Sequence, residues 1–294
     1  MSFERENRQR IQTVEKYFGA SGKPLVKEGR VLVGEGKLLK MSRRGPKPKM
    51  FFLFNDVLVY GSIVIPGRLY KRQQVIPLNV VELEDLEDGL GMANQWLLLT
   101  PSKSFTVAAV SAEEKGAWMG HINQCISKLD LNGGGKKNKS DLAFAAAWIP
   151  DRASAICMRC AERFSVTNRR HHCRRCGFIV CDGCSKGRAV LENISSKPVR
   201  VCTLCVSTME AERGSPDSLA QGKSSGSKKK DHWKRDSVED KVPTRSHDEE
   251  ESSDEFEEQE QDESHAPIQW EQDSAWSPYC YFNPDHEKPC SAIA

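Results

Sequence analysis

Between residues 31 and 128 the hydrophobic positions fall in short runs, and the runs predict strands. Val31–Val33 and Lys37–Met41 make a first strand region. Met50–Phe54 and Val57–Tyr60 flank Asn55-Asp56, the turn of a hairpin. Further short runs follow at Val75–Leu78, Val80–Leu83, Trp96–Leu99 and Ser104–Val107. The period then changes. Ser111 reads as a helix cap followed by Glu113 and Glu114 in an acidic first turn, and Trp118, Ile122, Cys125, Ile126 and Leu129 recur on one helical face. Seven strands closed by a helix predict a small β-barrel with a C-terminal cap.

Beyond that helix the apolar pattern stops. Asn132–Lys139 is rich in glycine and lysine, which predicts a flexible basic linker. After Val206 there are few apolar residues and alternating charge blocks, including Lys228–Lys230 and an acidic run at residues 248–263, so the tail is expected to be disordered. Its last stretch, with Trp270, Trp276, Tyr279, Tyr281 and Phe282, is unusually aromatic for a disordered tail and reads as a docking motif or a strand added to a partner. The formal charge of +2 conceals a division. Residues 1–205 carry 33 Lys and Arg against 19 Asp and Glu, and the remainder carries 10 against 22. A basic front half fits an anionic partner such as a phosphoinositide surface. Nucleic acid fits less well, because the aromatics are not interleaved with the basic runs as a stacking platform needs.

The candidate chemistry lies in cysteine. Four C-x-x-C pairs occur within 49 residues: Cys157/Cys160, Cys173/Cys176, Cys181/Cys184 and Cys202/Cys205, at intervals of 12, 4 and 17 residues. Four thiolates at about 2.3 Å close a tetrahedral zinc site, so eight make two structural zincs with no ligand left over. A disulfide framework is the alternative. The chain opens without an apolar signal core and has no run of about 18 apolar residues, which predicts a cytoplasmic chain with no transmembrane segment and favours metal. Around the second pair runs Arg169-Arg170-His171-His172-Cys173-Arg174-Arg175-Cys176-Gly177, a dense cationic surface that metal binding would pin in place and that suits phosphate. No nucleophile–base pair, phosphate-cradling glycine loop or open metal site is apparent. The expectation is a non-enzymatic protein with no small-molecule substrate.

The motifs Trp148-Ile149-Pro150-Asp151, Arg169–Gly177 and Arg200-Val201-Cys202, in register with the eight cysteines, resemble the FYVE zinc finger family. The resemblance implies a cross-brace in which the first and third pairs share one zinc and the second and fourth the other. It also implies the head group of phosphatidylinositol 3-phosphate as ligand. Arg169, Arg170, Arg174 and Arg200 would hold its phosphates, Asp151 and His172 its hydroxyls, with His171 beside them and Trp148 as a wall. Val166 and Thr167, at the tip of Phe164–Asn168, would enter the bilayer. A RING-like ubiquitin ligase is the rival, although such fingers usually include a ligand histidine and here all eight ligands can be cysteine.

The strands and terminal helix with its central Trp118 resemble a pleckstrin-homology (PH) domain. The cations Lys40, Arg43, Arg44, Lys47 and Lys49 read as its basic first hairpin loop, a second phosphoinositide site. A PH domain followed by one FYVE finger in so short a chain is similar to the phafin family, whose members are endosomal and lysosomal adaptors linked to trafficking, autophagy and cell death. The predicted architecture is therefore an α+β multidomain chain. It comprises an N-terminal segment (1–30), a seven-stranded PH-type barrel with its helix (31–130), a flexible linker (131–147), a cross-braced two-zinc finger (148–207) and a disordered acidic tail (208–294). Its expected partners are phosphoinositide membranes of early endosomes and lysosomes, with proteins reached through the tail.

Overall fold

A computed structural model describes residues 3–89, 92–131, 143–214 and 279–280. The seven expected strands are present: β1 (Leu32–Ser42), β2 (Gly45–Phe54), β3 (Val57–Ile65), β4 (Leu69–Pro77), β5 (Glu82–Asp85), β6 (Gln95–Leu99) and β7 (Phe105–Ala108). They form an antiparallel sheet in the order β4-β3-β2-β1-β7-β6-β5. Several strands outrun their apolar patterns. β3 extends through Ser62–Ile65, an apolar stretch whose Val64 and Ile65 are exposed, and β4 includes Lys71–Gln74, where solvent on one side removes the hydrophobic signal.

Helix α2 (Ala112–Leu131) closes one face of this sheet. Ser111 Oγ accepts from the Glu114 backbone at 3.2 Å, and the Glu114 carboxylate accepts from Val110 N at 2.9 Å, so two otherwise orphaned donors are satisfied at the helix start. Trp118, Ile122, Cys125 and Ile126 are buried against Phe51, Leu58, Trp96 and Val107, as their spacing requires. Leu129 packs at the margin.

The opposite face is covered from the N-terminal segment. Residues Phe3–Phe18 form helix α1, which buries Ile11, Val14 and Phe18 against Phe52, Phe54, Val59 and Tyr70. Phe18 lies so close over β3 that a Cβ added to Gly61 would stand 2.4 Å from its ring. Asn7 pins the helix to the sheet, donating to Arg30 O at 2.8 Å and accepting from Leu32 N at 3.0 Å. Both faces of β2 are therefore buried, which explains its uninterrupted Met50–Phe54 run.

The second folded region has little regular structure. It contains the paired strands β8 (His171–His172) with β9 (Ile179–Val180), the hairpin β10 (Gly187–Leu191) with β11 (Ser195–Val201), and helix α3 (Thr203–Gly214). Its buried cluster is mostly sulfur: Cys157, Cys173, Cys181, Cys202 and Cys205 with Val180 and Val201. α3 continues past residue 207 to Gly214, so the expected tail begins as helix.

A short strand β12 (Tyr279–Cys280) pairs antiparallel with β1 at Glu35 and Gly34. The aromatic segment thus supplies a strand, and its partner is this chain's own sheet. The Gly-rich linker core and the acidic run lie outside the described residues.

Candidate functional site

Two groups of four thiols assemble in the second region. Cys157, Cys160, Cys181 and Cys184 form one, Cys173, Cys176, Cys202 and Cys205 the other, and within each group the sulfurs lie within 4.8 Å of one another. This is the expected pairing of first with third and second with fourth. A tetrahedron with metal–sulfur bonds of about 2.3 Å has edges of about 3.8 Å. The Cys160–Cys181 and Cys176–Cys202 sulfurs stand 3.8 and 3.9 Å apart, so the groups fit a small soft cation.

Local hydrogen bonding favours a thiolate at one cysteine of each centre, Cys157 and Cys173. Cys157 Sγ accepts from Cys181 N at 3.3 Å, and Cys173 Sγ from Cys202 N at 3.2 Å. Burial pushes the Cys157 thiol up, but the N–H groups of Cys160, Cys181 and Arg159 overcome it and bring the pKa down to about 6. Cys173 is lowered to about 4, first by the Cys176 thiol donating to it and then, against burial, by neighbouring backbone N–H groups. Cys125, in the first domain, goes the other way: burial pushes it up to about 11, as befits an inert core residue.

Arg159 is a member of this assembly that the sequence reading passed over. From the loop of the first group it donates through Nε to Cys202 Sγ at 3.3 Å and through Nη2 to Cys176 Sγ at 3.4 Å in the second. A fixed positive charge there offsets thiolate charge and ties the two centres together. Its position inside Cys157-Met158-Arg159-Cys160 was the available signal.

The basic run divides by side. In β8, His171 and His172 point to opposite faces, as strand alternation demands. His172 is buried, and its ring stacks on Trp148 with centroids 4.8 Å apart and planes within 7°. Its Nε2 lies 2.7 Å from Ile149 O and 3.8 Å from Asp151 Oδ1. Arg174 sits over the Trp148 ring at 4.4 Å and donates to His172 O at 2.9 Å. Thus Trp148, Asp151, His172 and Arg174 are brought together. Arg200, only 15% exposed at its side chain, is held by Asp182 Oδ1 at 2.9 Å and by Ser185 on the His171 side. Both imidazoles titrate below their ordinary value. For His171 the causes are burial first, then Arg200, against Asp182; for His172 burial leads, against Ile149 O and Asp151, and Arg174 adds to it.

Arg169 and Arg170 are exposed at the rim, where Arg170 lies over the Phe164 ring at 4.8 Å. Arg175 instead donates to Cys205 O at 3.0 Å and braces α3. Gly177 is obligatory. Its φ is +74°, and a Cβ there would meet Ala147 O at 2.2 Å, blocking the extended segment that delivers Trp148. In the Phe164–Asn168 loop, Ser165 N and Asn168 O close a tight turn at 3.0 Å that leaves Val166 86% exposed at the tip beside Thr167. Phe164 packs on the cysteine core.

The basic hairpin of the first domain differs from a ten-residue loop. Lys40 pairs with Lys47 and Leu38 with Lys49 inside regular β1–β2 ladder, and only Arg43 and Arg44 occupy the turn between Ser42 and Gly45. Inward alternation buries Lys40, whose ammonium lies 4.4 Å from the Phe105 ring centroid. Lys49 donates to Ser62 Oγ at 2.7 Å.

These two regions match known families. Residues 147–211 match the FYVE zinc finger model, and residues 20–125 match the SOS1/NGEF-like PH domain model. Human pleckstrin homology domain-containing family F member 1 is 50% identical over 217 residues, covering 74% of this chain and 77% of that protein. The human member 2 is 49% identical over 206 residues, covering 70% and 82%. The chain belongs to this family, the phafins. The PH domain and FYVE finger make it a phosphoinositide-binding adaptor. The RING-like alternative finds no support: the finger model that matches is FYVE. Among the described residues no helix is long and apolar enough to cross a membrane.

Proposed function

We propose that this phafin-family chain is a non-enzymatic adaptor that carries two structural zinc ions and docks on membranes displaying phosphatidylinositol 3-phosphate. The observation that carries the reading is the Trp148–His172 stack, which sets the Asp151 carboxylate beside Arg174 in a finger organised by two tetrathiol groups. Among the described residues Asp151 Oδ1 is buried without a hydrogen-bond partner, an arrangement that costs about 1–3 kcal/mol and suits an inositol hydroxyl. Arg169, Arg170, Arg174 and Arg200 take the phosphates through charge-assisted bonds, with His171 beside Arg200. A phosphate where Asp151 expects a hydroxyl would face a carboxylate, which disfavours polyphosphorylated lipids.

Val166 and Thr167 enter the bilayer, and the Arg43–Arg44 turn with Lys47 and Lys49 supplies a second cationic contact. The site of action is the cytoplasmic face of early endosomes and lysosomes, in trafficking, autophagy and lysosome-linked cell death, with protein partners engaged through the tail. Flotation of the zinc-loaded chain with phosphatidylcholine vesicles carrying each phosphoinositide in turn tests the reading. Selective recovery with phosphatidylinositol 3-phosphate is expected, and loss of recovery in R174A. Equal recovery with every anionic lipid would overturn it.

A further inference from the structure

The two domains meet beside the head-group pocket. The segment leading into Trp148 is fastened to the turn between β6 and β7: Ala145 N donates to Thr100 O at 3.0 Å, and Ala145 is 4% exposed. Asn193, in the turn between β10 and β11, donates to Pro101 O and to Ala143 O, both at 3.0 Å. Lys103 from the same PH-domain turn lies 5.8 Å from the Trp148 ring centroid. The last of these links comes from the β1–β2 turn. Asp151 N donates to Arg43 O at 2.8 Å, and the Arg43 guanidinium stands 3.6 Å from Asp151 Oδ2.

We propose that Arg43 of the PH domain is a positioning residue of the FYVE head-group pocket, acting through Asp151, so that the pocket is completed across the domain boundary. The inference rests on the lipid reading above. Its grounds are geometric. Asp151 lies in a single 3-10 turn (Asp151–Ala153), and within the finger its carboxylate meets His172 Nε2 only at 3.8 Å, beyond hydrogen-bond distance. Arg43 grips that residue twice, through its backbone carbonyl and through its side chain. The grip on Oδ2 leaves Oδ1, buried and without a hydrogen-bond partner among the described residues, for the ligand. A carboxylate held in place by a neighbouring cation loses less freedom when it binds a hydroxyl, and the saving appears as affinity.

The test is a double-mutant cycle on the full, zinc-loaded chain. Affinity is read on phosphatidylcholine vesicles with and without phosphatidylinositol 3-phosphate, for R43A, R43K, R44A, D151N and R43A/D151N. Arg44 carries the same charge in the same exposed turn and shares its general cationic contact with the membrane, so R44A measures the part of the R43A loss that owes nothing to Asp151. R43A is expected to weaken binding about fivefold more than R44A does, and its loss should couple to that of D151N, because contacting residues couple and distant ones add. R43A/D151N should be no weaker than D151N alone, and R43K should recover part of the loss by restoring the charge. A merely structural role would lower the unfolding midpoint in R43A without this coupling, so thermal melts accompany each variant. Equal losses in R43A and R44A, or losses in R43A and D151N that multiply, would show that Arg43 has no part in the pocket and would leave the lipid reading intact. A wild-type chain that binds the lipid-bearing vesicles no better than phosphatidylcholine alone would sink the lipid reading, and this inference with it.

Discussion

The PH domain and the finger solve the same problem with different materials. The PH domain has two hydrophobic clusters, one on each face of its sheet, built from large side chains such as Phe51, Trp96 and Trp118 inside and Phe52, Phe54 and Tyr70 under α1. Each fully buried side chain of this kind contributes about 1.5–3 kcal/mol. The finger buries five cysteines and two valines in its cluster, far too little hydrocarbon to offset the entropy of ordering its loops. Its cohesion has to come from metal–thiolate bonds. Yet the finger carries the sharper pocket, in which His172 and Arg174 flank the ligand Cys173 and Trp148 lies just ahead of the first ligand pair. Pocket and metal are therefore coupled in a way that the PH domain's basic turn and its core are not.

The largest effect that would break this comparison is metal removal. Chelation is expected to unfold residues 147–211 and abolish binding to phosphatidylinositol 3-phosphate vesicles, while the PH domain retains a cooperative thermal transition. C173S should mimic chelation. C125S should not: Cys125 is buried in the PH core, so the cost, about 2 kcal/mol, falls on that domain and spares lipid binding by the finger. Native mass spectrometry finding fewer than two zincs on the wild-type chain would contradict the account.

The converse experiment attacks the hydrocarbon core. F18A removes the ring that lies over Gly61 between Phe52 and Tyr70, and should cost the PH domain about 3–5 kcal/mol by leaving a cavity under α1. Differential scanning calorimetry should show the PH transition falling while the chelator-sensitive transition stays. If both fall together, the domains are one cooperative unit and the contrast is too sharply drawn.

How far these regions could be read from the sequence differs for the same reason. The C-x-x-C pairs and the helix face of Trp118, Ile122, Cys125 and Ile126 are local spacings, and both appear as expected; the cross-bracing of those pairs was legible only through the family resemblance. Helix α1 was missed because only Ile11, Val14 and Phe18 mark its buried stripe among charged neighbours, with Asn7 completing it by hydrogen bonds. Lys40 was read as a loop cation because charge is visible in a sequence and strand parity at a hairpin end is not. The Arg43–Asp151 contact joins residues from two domains, and no local pattern encodes that.

A smaller effect sharpens the link between metal core and pocket. G177A would force a Cβ toward Ala147 O at a left-handed backbone position, costing the finger about 2 kcal/mol. Because Ile149 N donates to Gly177 O at 3.0 Å, the displaced segment would carry Trp148 away from His172. Lipid affinity should fall although all eight thiols remain, and zinc content should not. Unchanged affinity would show that the tryptophan wall is dispensable.

The smallest effect separates insertion from head-group binding. Val166 stands 86% exposed at the tip of its turn, where solvent contact carries a standing cost that a bilayer would remove. V166A deletes two methyl groups, or about 1 kcal/mol of that transfer, equivalent to about fivefold in vesicle affinity. Soluble inositol 1,3-bisphosphate has no acyl phase to enter, so its affinity for the zinc-loaded chain should be the same in V166A and wild type. Thr167 offers a single methyl, and T167S should lose correspondingly less than V166A on vesicles. An equal loss with the soluble head group would mean that Val166 supports the pocket from within, and that the finger reads its lipid from the surface without entering the bilayer.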